Sequence, residues 1–360
     1  MTPPPASRAG RLADGRAIWY FDDDLPRSVP PDPAPPDPRS ISRVGSYAEL
    51  RHDPLVDEWV IVATHRQDRV HLPSAEECPL CPSRPGQPTE IPAASYDVVV
   101  FENRFPSLPA GAPDRPPAGR AEVVVYAADH RASFADLPDD RLHTIGGAWA
   151  ARIAALEAEA GIAHVMAFEN RGEEIGVTLH HPHGQIYAFP VLPPRIERLL
   201  TVADAHRQRT GTCLGCAVLA DEVSDGTRVV SETPHAVAYV PRAARWPYEV
   251  HVVPRRHVGS LSRLGPEELD DLVRSGADVL GRLDRLFGRR VPYMAGWLGA
   301  PARDPDRLHL RWQIVSPQRS AAKLKFLAGS ESLAGAFIND VRPEDAAARL
   351  RATAGRVHGT

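Results

Sequence analysis

The chain is poor in cysteine, poor in aromatics and without a long apolar run, and each shortage narrows what it can be. Four cysteines in 360 residues cannot staple a chain of this size, which excludes a disulfide scaffold. No stretch approaches the roughly 20 apolar residues that cross a bilayer. The N-terminus has no basic segment leading into an apolar h-region, so no signal peptide is expected and a cytoplasmic location is the default. Basic residues are not in excess: 42 Lys and Arg stand against 46 Asp and Glu, a formal net charge of −4. With no basic stripe interleaved with aromatics, a zinc-stapled nucleic-acid binder or an acidic-membrane binder has no electrostatic support. What remains is 43% hydrophobic and 24% charged, ordinary for a soluble globular protein and long enough for a duplicated domain.

Proline is abundant, and residues 1–45 carry much of it in PPPASRAG and VPPDPAPPDPRS. That composition predicts a flexible arm with no core of its own. Order is expected from SYAELRHDPLVDEWVIVATHR onward, with a strand at 58–64.

The few cysteines are arranged. They form two CxxC pairs, Cys78/Cys81 and Cys213/Cys216. The proline-rich surroundings of the first pair (CPLCPSRPGQP) do not suit a redox pair opening a helix, so a metal clip is the better reading. The chain then says the same thing twice. A strand, His130 and an amphipathic helix over 139–161 are answered by a strand, His257 and a helix over 267–288. Each half continues through a strand (HVMAFENR, PYMAGWLG) to a histidine-bearing one (HPHGQIYAF, HLRWQIV). Cys78 to Cys213 and Cys81 to Cys216 are both displaced by 135, His130 to His257 by 127 and His181 to His309 by 128. Cys78, Cys81, His130 and His181 are the first candidate zinc set, and Cys213, Cys216, His257 and His309 the second. Spacing alone separates His257 from the nearby His235 and His251. The histidines outside this pattern (52, 65, 71, 143, 164, 206 and 358) read as core or solvated residues.

In HPHGQ, side-chain alternation along a strand puts His181, His183 and Gln185 on one face. Two cysteines and two histidines close a tetrahedral structural site with no open position for substrate. His181 would then be tied to metal and His183 left to act as a neutral imidazole nucleophile. Gly184 is expected to let a phosphate approach, and Gln185 to donate an amide N–H to a phosphate oxygen. In the second half Arg311 stands where His183 stood, and arginine cannot be deprotonated to attack. One strand is expected to be active and one structural.

With these residues in view, the chain resembles the galactose-1-phosphate uridylyltransferases, the transferase branch of the histidine-triad superfamily. The resemblance runs from about Tyr47 to Arg351 and rests on HPHGQ after FENRG, the upstream CPLC and DH, WPYEV, YMAGW-GAP and RSAAKLKF. It implies an α+β fold: a duplicated histidine-triad-like motif whose fused halves make a continuous, mainly antiparallel half-barrel sheet with helices packed outside. The boundaries expected are a first domain at 46–195, a second at 196–350 and a tail at 351–360. It implies ping-pong transfer of UMP from UDP-glucose to galactose 1-phosphate through a uridylyl-His183, giving UDP-galactose, in a homodimer. The alternative is an ADP-sugar phosphorylase or adenylyltransferase using the same histidine. By position, Asn170, Thr178, Arg66 and Arg69 would contact phosphates, and Asn103, Phe105 and Phe168 would lie by the uridine. Hexose contacts would come from Lys325, Phe326 and Glu331 of a partner subunit, although Ser330 replaces the family's aromatic. The iron site of the best-known members needs a glutamate and three histidines, which Leu199, Leu298 and Arg311 cannot supply. An all-zinc version with two zinc sites is implied instead.

Overall fold

The computed structural model describes residues 7–23, 33–44, 48–64, 72–108 and 119–356. The first half runs β1 (Ser7–Arg11), β2 (Ala17–Phe21), a separate hairpin β3 (Ala48–Asp53) and β4 (Glu58–Ala63), β5 (Val98–Glu102), β6 (Arg120–Val125), α1 (Asp139–Glu157), β7 (His164–Arg171) and β8 (His183–Phe189). The second runs α2 (Pro194–Thr210), α3 (Leu214–Asp225), β9 (Val229–Glu232), β10 (Ala236–Tyr239), β11 (Tyr248–Pro254), α4 (Pro266–Phe287), β12 (Tyr293–Leu298) and β13 (Arg311–Ser316). A short pair, β14 (Gln318–Ser320) and β15 (Lys323–Leu324), leads to α5 (Gly329–Ala334) and α6 (Pro343–Ala352).

Among the described residues eleven strands form one sheet in the order β1-β2-β5-β6-β8-β7-β12-β13-β11-β10-β9. Its pairings are antiparallel. The duplication is legible in that order: reading outward from β7 and β12, β8 mirrors β13, β6 mirrors β11 and β5 mirrors β10. The halves meet where Arg171 pairs with Tyr293 and Phe168 with Gly296. The fold is thus the α+β arrangement expected, with a continuous antiparallel sheet.

The two long helices form where the apolar periodicity puts them. Both open on acidic first turns, Asp139 and Asp140 in α1 and Glu267 and Glu268 in α4, which suits the positive end of a helix dipole. In α4, Pro266 takes the first turn, the Glu268 carboxylate accepts the Gly265 N–H at 2.8 Å, and Gly288 closes the helix at φ 64°. Their apolar faces pack on one face of the sheet as a single core. Leu142, Ile145 and Trp149 of α1 join Leu272, Val273 and Leu280 of α4 there. Trp297 and Trp312 stack at its centre, 4.6 Å between ring centroids. Each such side chain contributes roughly 1.5–3 kcal/mol on burial.

The two halves cover the opposite face of the sheet differently. In the first half Leu80, Ile91 and Tyr96 pack over Val99, Phe101, Val123 and Val125. In the second, α2 lays Ile196 and Leu200 beside Leu298 and Leu308, and α3 lays Leu219 beside Val237, Tyr239 and Val253.

The expected arm over residues 1–45 needs correction. Ser7–Arg11 and Ala17–Phe21 are strands of the main sheet, with Ile18 and Tyr20 buried in its core. Arg16 donates to Glu102 O at 2.9 Å and pairs with Asp14 at 2.7 Å and with Glu90, which Arg39 also holds at 2.8 Å. Trp19 lies under the Arg152 guanidinium, 3.6 Å from its ring centroid. The short apolar run AIWYF outweighs the prolines around it. No helix among the described residues is long and apolar enough to cross a membrane.

Candidate active site

Three remote segments converge behind β8. The turn holding Cys78 and Cys81, the loop after β6 holding His130, and the residues before β8 holding His181 bring four donor atoms within 4.8 Å of one another. Cys81 Sγ lies 3.5 Å from Nδ1 of both His130 and His181, and Cys78 Sγ 3.8 Å from Nδ1 of His181. The His181 Nε2–H donates to Ala127 O at 2.7 Å, which turns the Nδ1 lone pair toward the sulfurs. Burial, with Cys78 beside it, pushes the Cys81 thiol up to about 12, and burial pulls His181 down to about 4. A bound dication reverses that logic for the thiols and takes the neutral imidazoles as they stand. The donor set therefore fits a tetrahedral ion with nitrogen and sulfur ligands.

His183 opens β8, and burial alternates from there: His183, Gln185 and Tyr187 are half-buried while Gly184, Ile186 and Ala188 are buried. His181 itself precedes the strand. The His183 Nδ1–H donates to the carbonyl of His181 at 2.7 Å, so the neutral ring carries its lone pair on Nε2. The cysteine–histidine cluster and the imidazole are thereby coupled through one backbone carbonyl. His183 borders a cavity of about 170 Å³ with Gln185, Asn103, Phe105 and Thr178, four of the residues expected there. Asn103 Nδ2 donates to Gln185 Oε1 at 3.4 Å and Asn103 Oδ1 accepts from Phe105 N at 2.9 Å. Phe168 pairs in register with Gln185 and meets the Tyr187 ring edge-on, centroids 5.0 Å apart. Asn170 lies in a smaller recess of about 40 Å³ that also touches His183. Arg66 and Arg69 fall outside the described residues.

Some expectations change. Gly184 does not open a path for phosphate: a Cβ there would point into the core, against the Tyr126 hydroxyl and 2.7 Å from Phe168 O. The glycine is needed because Tyr126 packs directly behind the strand that carries His183. Glu90, Leu80, Phe101 and Arg104 also border the cavity and were not picked out from the sequence. Arg104 alone had a signal, standing between Asn103 and Phe105.

Glu169 was missed as well. It pairs in register with Gly184 and accepts a hydrogen bond from Tyr293 Oη at 2.6 Å. Burial pushes its carboxyl up to about 7, while Tyr293 and Arg171 pull the other way. The folded state thus holds a proton between about pH 4.5 and 7 that the unfolded chain releases, so stability falls as pH rises through that window. Glu169→Gln is expected to remove this slope and to gain up to about 3 kcal/mol on the wild type above pH 7. Urea midpoints of both proteins at pH 5 and pH 8 check it; parallel midpoints would contradict the assignment.

The second cluster is built differently. Cys213 caps α3 and Cys216 lies in its first turn, so this CxxC does open a helix, unlike the first. Cys213, Cys216 and His257 bring their donor atoms within 4.8 Å of one another. His309 Nδ1 lies 3.5 Å from Cys216 Sγ while its Nε2–H donates to Pro254 O at 2.9 Å, repeating the posture of His181. A Cβ on Gly215 would stand 2.5 Å from that of His309, so only glycine lets the ring reach the cysteines. His251 turns instead to Glu249, 3.1 Å away.

Lys325 and Glu331 do not border the His183 cavity of their own chain. They form a buried ion pair at 2.6 Å that closes the 325–338 loop, and Lys325 also donates to Arg245 O at 3.0 Å and to Ile338 O. Phe326 is 77% exposed.

Two family models match the chain: the galactose-1-phosphate uridyl transferase N-terminal domain over residues 42–193 and the C-terminal domain over 201–360. The chain is 40% identical to a galactose-1-phosphate uridylyltransferase of Streptomyces lividans, over 96% of this chain and 97% of that one. It is 39% identical to that of Thermotoga maritima, over 85% and 98%. Among solved structures, a uridylyltransferase superposes with a TM-score of 0.76 at 33% identity, over 85% of this chain and 98% of the other. An ADP-glucose phosphorylase from Arabidopsis thaliana gives 0.66 at 25% identity, over 85% and 99%.

Proposed function

The chain belongs to the galactose-1-phosphate uridylyltransferase family, and from that premise we propose that His183 carries a uridylyl group between two hexose phosphates. Nε2 of the neutral ring attacks the α-phosphorus of UDP-glucose. A P–N bond forms, the bond from that phosphorus to the bridging oxygen breaks, and glucose 1-phosphate leaves with the electron pair. A phosphate oxygen of galactose 1-phosphate then attacks the same phosphorus, giving UDP-galactose and returning the lone pair to Nε2. The observation that carries this reading is the 2.7 Å hydrogen bond from Nδ1 to the His181 carbonyl. It fixes the tautomer that can attack, and it stabilises the positive ring once phosphorus is attached.

The other residues take roles that follow from their positions. With Asn103 donating to Gln185 Oε1, the Gln185 amide N–H2 is turned toward incoming phosphate and stabilises charge developing on its oxygens. Thr178 and Asn170, on either side of His183, supply further polar contacts to the diphosphate. Phe105 and Phe168 offer ring surface to the uracil. Zinc suits Cys78, Cys81, His130 and His181, a closed set that holds geometry and leaves no position for substrate; Cys213, Cys216, His257 and His309 would hold a second. The homodimer reading is supported by the apolar exposure of Phe326, Leu327, Leu333 and Ile338 on one loop, where the hexose-binding segment of a partner would be presented.

The test uses enzyme mixed with UDP-glucose labelled at the α-phosphorus, with no acceptor. Label bound to protein, stable in alkali and lost in acid, is expected, and galactose 1-phosphate should discharge it as UDP-galactose. ADP-glucose labelled in the same way reports the base preference. Turnover without any protein-bound label would rule out the covalent route.

A further inference from the structure

The second half holds a cavity that this transfer does not use. It measures about 370 Å³, on the sheet face that carries the His183 cleft in the first half, and Leu199, Val218, Tyr239, Val253 and Leu308 form much of its wall. Arg311 lines it, two residues before Gln313 as His183 is two before Gln185. Its Nε is buried without a hydrogen-bond partner. Arg195 on α2 and Arg245 before β11 add positive potential nearby, and Arg242 lines the rim.

The acids on hand are already engaged. Glu249 accepts from Gln313 Nε2 at 2.8 Å, His251 Nε2 at 3.1 Å and Arg245 N at 2.7 Å. Glu222 is taken by Arg228 at 2.8 Å and by Arg242 N at 3.3 Å. The third lining arginine, Arg307, is held by Asp204 and Asp304. No carboxylate among the described residues forms an ion pair with Arg311. A guanidinium sunk in a cavity without a counter-charge is costly, and its fork of donors matches a phosphate.

We propose that this cavity is a second, non-transferring site for a phosphate monoester. Arg311 takes the phosphate dianion, and Leu199, Val218 and Tyr239 receive the nucleoside or sugar attached to it. Arginine cannot attack phosphorus, so the ligand is held and released unchanged.

Equilibrium dialysis of the full-length protein against labelled UMP, glucose 1-phosphate and inorganic phosphate tests this. The His183→Asn protein keeps the other contacts of the first cleft, so for at least one of the three ligands it should show one binding event per chain beyond that cleft's own. In Arg311→Gln that event should weaken at least tenfold, while metal content and uridylyl transfer stay within about threefold of wild type. Loss of the additional event in Arg311→Gln for UMP alone marks a nucleotide site, for glucose 1-phosphate alone a sugar-phosphate site, and for all three a site that reads phosphate only. Arg311→Met, which removes the charge with little change in shape, is read in the same way should Arg311→Gln fail to fold. Binding in the Arg311 variant equal to that of wild type for all three ligands, or no additional event in His183→Asn, overturns the proposal. Since the comparison is made against Arg311, a failure of the His183 chemistry leaves its outcome intact.

Discussion

His183→Ala is expected to fold, to keep its metal and to lose uridylyl transfer by on the order of 10⁴ to 10⁶. The fold survives because the ring's 2.7 Å hydrogen bond is to the carbonyl only two residues back, and because the strand pairs through its backbone, His183 opposite Val125. A half-buried side chain of this kind costs about 1 kcal/mol or less to truncate. Among the described residues nothing nearby replaces it as a nucleophile. His180, the exposed neighbour, pairs with Glu173 at 3.1 Å, and His181 is buried with its Nε2–H committed to Ala127 O. Glutamine and asparagine around the cavity can stabilise charge but cannot form the P–N bond. The variant should also take up no label from UDP-glucose. Near-normal turnover with intact metal would show that another group carries the chemistry.

The second large effect is on stability. Cys78→Ser should lower metal content by about one equivalent per chain and destabilise the first half by several kcal/mol, out of the roughly 10 kcal/mol that such a site can contribute. Cys78 is 1% exposed and His181 equally so, so the cluster is part of the core between the 78–96 segment and the sheet. Losing the ion leaves donor atoms from three distant segments buried and mutually unsatisfied. Activity should fall as well, since the His181 carbonyl that orients His183 moves with the cluster. Metal analysis and chemical denaturation on the same preparation check both halves of the claim. A variant with full metal content and wild-type stability would disprove the first site.

The sequence carried more of the site than of its surroundings, for physical reasons. Candidate metal ligands are few, chemically distinctive and repeated at nearly constant displacement, so the convergence of Cys78, Cys81, His130 and His181 was readable without coordinates. Helices α1 and α4 were readable because each is long and buries one stripe. The N-terminal hairpin was not, since its strands are five residues each and proline dominates the composition around them. Gly184 was misread because alternation tells which face a residue takes but not what lies behind it, here the Tyr126 ring. The Lys325–Glu331 pair escaped for a related reason. Two charges six residues apart can face a substrate or each other, and only tertiary packing decides.

The seam between β7 and β12 has a historical consequence. Arg171 opposite Tyr293 and Phe168 opposite Gly296 make a pairing in which equivalent strands of the two halves run past one another about a local two-fold axis, as identical subunits do in an isologous contact. A tandem gene fusion that tied two such subunits together would have relieved each copy of the need to serve both roles. One could keep the imidazole while its twin drifted to arginine. Halves expressed as separate polypeptides should therefore recover activity only when mixed, because each alone would leave an unpaired strand edge and half of a shared core exposed to water.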